Sequence, residues 1–187
     1  LPGEAAVLNK LVTIPTAEVM TYQGSLSGEI SPSKKEVEIA YKLDDRLEVG
    51  GILELYNENY KIGPMVKLAL TPESNNQPAI TAGLDNEDMY LVFSKTLNYG
   101  FRGHMGIGSG RFDNLFIGIN KIINPVRVEL EGNQGNQSSV LPPMNLMAEY
   151  VQRKINLGIR VNIKKHLYMD LGIMDLNTFK AGVSLAF

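Results

Sequence analysis

The chain has no cysteine and no tryptophan, and only His104 and His166 among its 187 residues are histidines. Without thiols, disulfides, thiolate metal sites and cysteine catalysis are excluded. Neither sign of charge prevails: 18 Lys and Arg face 20 Asp and Glu. That near-balance argues against a nucleic-acid partner. No apolar run approaches the roughly 18 to 20 residues that a membrane helix needs. Together with a mean hydropathy of −0.07, this excludes a helical membrane protein. It leaves open a membrane barrel, whose strands average polar and apolar residues. The opening LPGEAAVLNK also lacks the basic stretch and apolar core of a signal peptide.

What the chain does have is alternation. In FKAGVSLAF (179–187) Phe179, Ala181, Val183, Leu185 and Phe187 are apolar, and the residues between them are charged or small. Period-two patterning of this kind marks a strand with one wet and one dry face. Such segments recur near 17–30, 36–43, 47–57, 60–71, 78–84, 89–95, 99–109, 115–123, 126–133, 144–152, 155–163 and 167–174, separated by turn residues. The dry faces carry almost no charge; Lys95 and Lys121 are exceptions, placed at strand ends where they can snorkel. A three-residue loop at 44–46 would set Lys42 opposite Glu48, and one at 164–166 would set Arg160 opposite Asp170. Both registers pair opposite charges on the wet face.

Near-continuous hairpins, an uncharged dry face and a terminal aromatic predict an all-β fold: a single antiparallel transmembrane β-barrel with short turns. A soluble β-sandwich or β-barrel, acting as a carrier or interaction protein, is the alternative. Bacterial single-chain barrels have even strand numbers, and thirteen segments are legible. The expectation is 12 to 14 strands, preferably 14, with AAVLNKLVTI (5–14) as the extra one. Residues 17–187 form the barrel, and residues 1–16 are either a first strand or a lumen plug. Pro64, on the dry face of its segment, calls for a bulge.

The last strand resembles the C-terminal signal of bacterial outer-membrane β-barrels. The resemblance implies outer-membrane localisation, contact with outer-membrane lipids, and recognition of Phe179, Val183, Leu185 and Phe187 by the barrel-assembly machinery. IPTAEVMTYQGSLSGEI, DRLEVGGILEL, VKLALTPESNNQPAITAGLDNEDMYLVFSKTL, GIGSGRFDNLFIGI and INLGIRVNIKKHLYMDLGIMD, in that order, resemble the YjbH-like barrels associated with exopolysaccharide production. That similarity implies a non-enzymatic barrel, a small channel or a structural subunit beside other envelope proteins, linked to exopolysaccharide export.

GHMGIGSGRF (103–112) is not a phosphate loop, since its spacing is G-x-G-x-G and a strand follows rather than a helix. No nucleophile motif surrounds any serine, so no enzyme activity, cofactor or metal is expected. The functional constellation is the wet face. Glu38, Lys42, Glu48, Glu54, Lys61, Lys67, Arg102, His104, Arg127, Glu129, Glu131, Arg160, Asp170 and Lys180 are expected to face the lumen. They form either a salt network that closes a small lumen or a pore lining that filters solutes by charge.

Overall fold

Alternation puts every second side chain on each face of a strand, and here each wall strand also finds a hydrogen-bonded neighbour on both sides. A computed structural model describes residues 10–112, 114–123, 127–130, 137–140 and 142–187, with the side chains of 127–130 and 137–140 left aside. The strands are β1 (Gly24–Ile30), β2 (Lys35–Lys42), β3 (Leu47–Leu55), β4 (Tyr60–Thr71), β5 (Ala79–Asp85), β6 (Asp88–Thr96), β7 (Phe101–Gly108), β8 (Asn114–Ile123), β9 (Arg127–Leu130), β10 (Gln137–Val140), β11 (Met144–Val151), β12 (Lys154–Lys164), β13 (Leu167–Met174) and β14 (Thr178–Ala186). Twelve of them close into one antiparallel barrel, while β9 and β10 pair only with each other. The seam is β1 against β14, from Ser25↔Ala186 to Ile30↔Ala181.

The strand number is therefore twelve, not fourteen. Segment 126–133 supplies β9, which belongs to a separate hairpin in the connection between β8 and β11. That connection is also longer than the short turns expected throughout. In the segment proposed as an extra strand, residues 5–9 lie outside the described residues and residues 10–14 take no place in the wall. The first wall strand starts at Gly24 rather than 17, because residues 17–23 lie inside the barrel.

Two register expectations had different outcomes in detail. Lys42 pairs with Glu48 as the 44–46 loop implies. Arg160 pairs with Asp170, but through a two-residue turn and a register shift between Asn162 and Lys164. Pro64 needs no bulge. Its carbonyl accepts from Asn86 N–H at 2.8 Å, so its nitrogen faces the β5–β6 turn, beyond the last β4–β5 pair at Met65↔Asp85. The missing donor thus removes no rung of the ladder.

Burial is inverted relative to a water-soluble fold. Outward Ile62 is 70% exposed and Phe179 57%, whereas inward Glu48 is fully buried. Leu, Ile, Val and Phe cover the outside of every face of the closed wall, an arrangement that only a lipid solvent rewards. No two-sheet sandwich is present among the described residues.

The two ends differ. At the terminal end Gly24 and Phe187 exchange backbone hydrogen bonds of 2.9 Å, and the connections there include 72–78 and 124–143. At the distal end the connections are shorter: 86–87 and 152–153 are two-residue turns, and the β7–β8 connection carries a 3-10 turn at Gly110–Phe112. Gly50 sets how closely β2 and β3 approach, because a Cβ there would lie 2.0 Å from the Ile39 carbonyl oxygen. Gly50→Ala should destabilise the barrel by roughly 1–3 kcal/mol, read as a lower temperature at which the compact band on SDS gels is lost. Gly51→Ala is the control, since its Cβ meets only Gly63 O at 3.7 Å, and equal losses for the two variants would refute this account.

Candidate functional site

The lumen is occupied by the chain's own residues 10–23. Lys10 and Pro15 pair as an isolated bridge, and Leu11 N–H donates to Ile14 carbonyl at 2.9 Å. Residues 10–15 therefore reverse direction in a tight loop. Its tip reaches Asn156 in the distal part of β12, while the Lys10 carbonyl accepts from Arg160, farther toward the terminal end, at 3.2 Å. The following arm runs down to Gln23, whose carbonyl accepts from Lys42 N–H at the terminal end. Within the described residues the segment thus turns back at its tip, and its C-terminal arm leads to the terminal end.

The tip is held by one carboxylate. Backbone N–H groups of Val12, Thr13 and Ile14 all donate to Glu149 Oε2, at 3.1, 3.0 and 3.2 Å. The Thr13 hydroxyl donates to Glu149 Oε1, which also accepts from Asn156 Nδ2 at 2.8 Å. Successive amides converging on one anion form a nest, and hydrogen bonds to an ionised group are about twice as strong as neutral ones. Lys180 Nζ adds a 2.6 Å bond to the Val12 carbonyl.

Below the tip, Ala17 N–H donates to Ser94 Oγ and its carbonyl accepts from Thr81, both at 2.9 Å. Ser94 Oγ lies 2.7 Å from His104 Nδ1, His104 Nε2 lies 2.8 Å from Asn120 Oδ1, and Asn120 Nδ2 lies 2.8 Å from Asn145 Oδ1. Each group has one donor to give onward, so the chain assigns His104 as the neutral Nε2–H tautomer. Ser, His and Asn in this order resemble a hydrolytic trio. Here Ser94 is fully buried and its oxygen accepts the plug amide, so the trio works as a hydrogen-bond relay between plug and wall. Farther down, Glu18 pairs with Arg102, Lys67 donates to the Glu18 carbonyl and Met20 N–H donates to Glu48.

An apolar cluster completes the filling: Leu11, Val12, Ile14 and Ala17 of the plug pack with Val92, Phe112, Phe116 and Met147 of the wall side. A Cβ on Gly106 would sit 2.3 Å from the Phe116 ring. The opposite side of the lumen is ionic. Lys10 reaches Glu36 at 2.7 Å, Glu38 at 3.1 Å and Glu29 at 3.4 Å, and Lys180 reaches Glu29 at 2.7 Å. Glu54 accepts from Lys34, Asn86 and Tyr56, and Arg160 holds Asp170 at 2.5 Å. Lys34 lies in the β1–β2 turn. Burial lowers its pKa, but Glu36 and Glu54 more than offset this and hold the ammonium above its usual value. Glu73, in the 72–78 loop, is held below the usual carboxylate range: desolvation opposes this, and Thr96 N–H and Arg102 outweigh it.

Lys42 and Lys61 share the inward phase of their strands but stand at the strand ends, where Lys42 meets Asp45 at 3.5 Å and Lys61 meets Glu87 at 3.2 Å. Arg127 and Glu129 belong to β9, outside the barrel sheet, and Glu131 lies outside the described residues. Phe179, Val183, Leu185 and Phe187 point outward. Glu149, Asn156, Ser94, Lys10 and Glu18 were missed by sequence reasoning. Glu149 had a signal, because Asn145 and Glu149 share one alternation phase in NLMAEYV. Residues 10–16 fall in the segment expected as a first strand or lumen plug, but no strand period marks which of its polar groups meet the wall.

At the distal end a vestibule of about 380 Å³ remains open, with Ser31, Lys34, Arg111, Gln152 and Asp175 in its lining and Lys10, Thr13, Asn156 and Lys180 toward the plug. A closed antiparallel barrel with a lipid-facing exterior and a polar-lined interior is a porin-type β-barrel. Solved structures similar to it are the KdgM porin (11% identity, TM-score 0.52, 88% of this chain and 98% of that one) and the KdgM porin in complex with disordered oligogalacturonate (12%, 0.52, 88% and 98%). Outer membrane protein Omp33 of Acinetobacter baumannii is also similar (10%, 0.53, 89% and 98%). No family model matches the chain, and no curated protein matches it. The likenesses establish the fold. That fold and the apolar exterior together make the chain a membrane-spanning barrel.

Arg160 and Asp170 are both nearly buried. Asp170→Asn leaves the guanidinium without its charge partner and should cost about 3–5 kcal/mol in denaturant unfolding of the detergent-solubilised barrel. Replacing both residues together by apolar residues of similar volume should recover much of that loss. A double variant as unstable as the single one would show that shape, not charge, governs the pair.

Proposed function

We propose that the protein is a small outer-membrane channel whose resting state is closed by its own N-terminal segment. The observation that carries this reading is the way the plug is attached. Residues 10–20 meet the wall through side chains and single amides, with no ladder of sheet bonds, so the plug can leave while the barrel stays intact. The porin-type fold of the similar structures supports a passage role. The arm that leads to Gln23 supports withdrawal toward the terminal end, which the resemblance of the last strand to the assembly signal puts in the periplasm. In that setting Phe179, Val183, Leu185 and Phe187 serve recognition by the barrel-assembly machinery, and the solute enters from outside through the vestibule.

A second reading is a permanently sealed barrel serving as a structural subunit with other envelope proteins. The packing of Leu11, Ile14, Phe112 and Phe116 favours it, because a dry cluster resists opening. The exopolysaccharide link rests on the resemblance to YjbH-like barrels alone, and a polymer could pass only with the plug withdrawn.

The chain has no cysteine, which permits a clean test. Thr13 Oγ1 and Asn156 Nδ2 are 3.4 Å apart, so in a Thr13→Cys, Asn156→Cys pair a short bifunctional thiol cross-linker should tether the plug tip to β12. In planar bilayers the untreated protein should show openings and the cross-linked protein should lose them. If both forms stay silent, and Glu18→Ala with Glu149→Ala adds no conductance, the sealed structural subunit is the correct reading. Arg102→Gln should shift the ion selectivity of any openings toward cations.

A further inference from the structure

Two of the residues that hold Glu149 are met by a solute on reaching the bottom of the vestibule, and the Val12 and Ile14 amides lie behind them. Thr13 and Asn156 line that cavity, and both bond the Glu149 carboxylate. Val12, Thr13 and Ile14 present three consecutive N–H groups to it, and Lys180 sits on the Val12 carbonyl with its ammonium facing the same space. The chain has thus built a carboxylate-binding nest and filled it from its own wall. We infer that the nest is a binding site for small carboxylate-bearing solutes, which Glu149 occupies in the closed state. A solute carboxylate arriving through the vestibule exchanges with Glu149 and releases the plug. This inference rests on the channel reading for its purpose but not for its chemistry.

The direction of the effect follows from linkage. In the closed barrel the nest is taken by Glu149, so a carboxylate solute binds it poorly. With the plug withdrawn, the amides of residues 12–14 are free. A ligand shifts an equilibrium only through its differential affinity for the two states, and a carboxylate favours the open one. A neutral sugar of the same size has no charge to offer the amides and shifts nothing. Removing the wall carboxylate inverts the sign. With Glu149→Ala the closed state holds three unsatisfied amides and Asn156 around an empty volume, so a small free carboxylate there restores their hydrogen bonds and favours closure.

The test uses the full chain in mild detergent. Val12 is 5% exposed, so Val12→Cys supplies a single thiol that a maleimide reaches only when the plug leaves. At constant ionic strength, glucuronate should raise the labelling rate several-fold and glucose should not. In Val12→Cys, Glu149→Ala, labelling should be fast without solute, and acetate should slow it. Equal effects of glucuronate and glucose, or a Glu149→Ala protein indifferent to acetate, would overturn the assignment. The same measurements separate it from the channel reading. A barrel that never conducts yet answers to glucuronate loses the channel and keeps the nest. One that conducts on plug release but ignores glucuronate keeps the channel and loses the nest as a solute site.

Discussion

Every backbone N–H and C=O at membrane depth must find a partner within the protein, because lipid offers none. Twelve strands meet that demand by closing on themselves, and the rest of the architecture follows from closure. The wall has no free edge, so its two faces meet two different solvents. Outward residues meet hydrocarbon, and Leu, Ile, Val and Phe occupy most of those positions, with Tyr, Met and small residues at others. Inward residues are released from that constraint, and charge, amide and glycine appear among them.

Closure creates a second problem. A twelve-stranded wall encloses more space than its own inward side chains fill, and buried carboxylates such as Glu48 and Glu149 need donors. The segment 10–23 answers both needs. It supplies backbone amides to Glu149 and Glu48, carbonyls to Lys67, Lys180 and Arg160, and a small apolar cluster against Phe112 and Phe116. Wall and plug are therefore complementary in hydrogen-bonding sense, with carboxylates on the wall meeting N–H groups on the plug. A plug of side chains alone could not offer three donors in sequence at one point.

Much of the wall was legible because strand geometry is local. Alternation marks all twelve barrel strands, and the 44–46 loop length sets Lys42 against Glu48; Arg160 meets Asp170 as the charges suggest, though through a shorter turn and a register shift. The errors arose where pattern carries no information about partners. Segment 126–133 alternates as well as any wall strand, yet its residues 127–130 pair with 137–140 outside the wall. Residues 17–23 were joined to the first strand because they continue its composition, although they cross the lumen. Pro64 looked costly from its position in the strand and is harmless because the neighbouring ladder has already ended.

The sequence by itself determined the strands and which face of each is dry. Barrel closure and the outward turn of the dry face, which separate a membrane barrel from a soluble sandwich, came from the tertiary structure. A two-residue period with one uncharged phase is a property of each segment, and no partner is needed to read it. Strand count, the seam at Gly24 and Phe187, and the fate of the N-terminal residues were decided only in three dimensions. Glu149 marks the boundary. In the sequence it is one carboxylate in a strand, indistinguishable from Glu54. Its role depends on three amides that lie about 135 residues away along the chain and share no periodicity with it. Contacts of that kind arise from closure of the barrel around the segment.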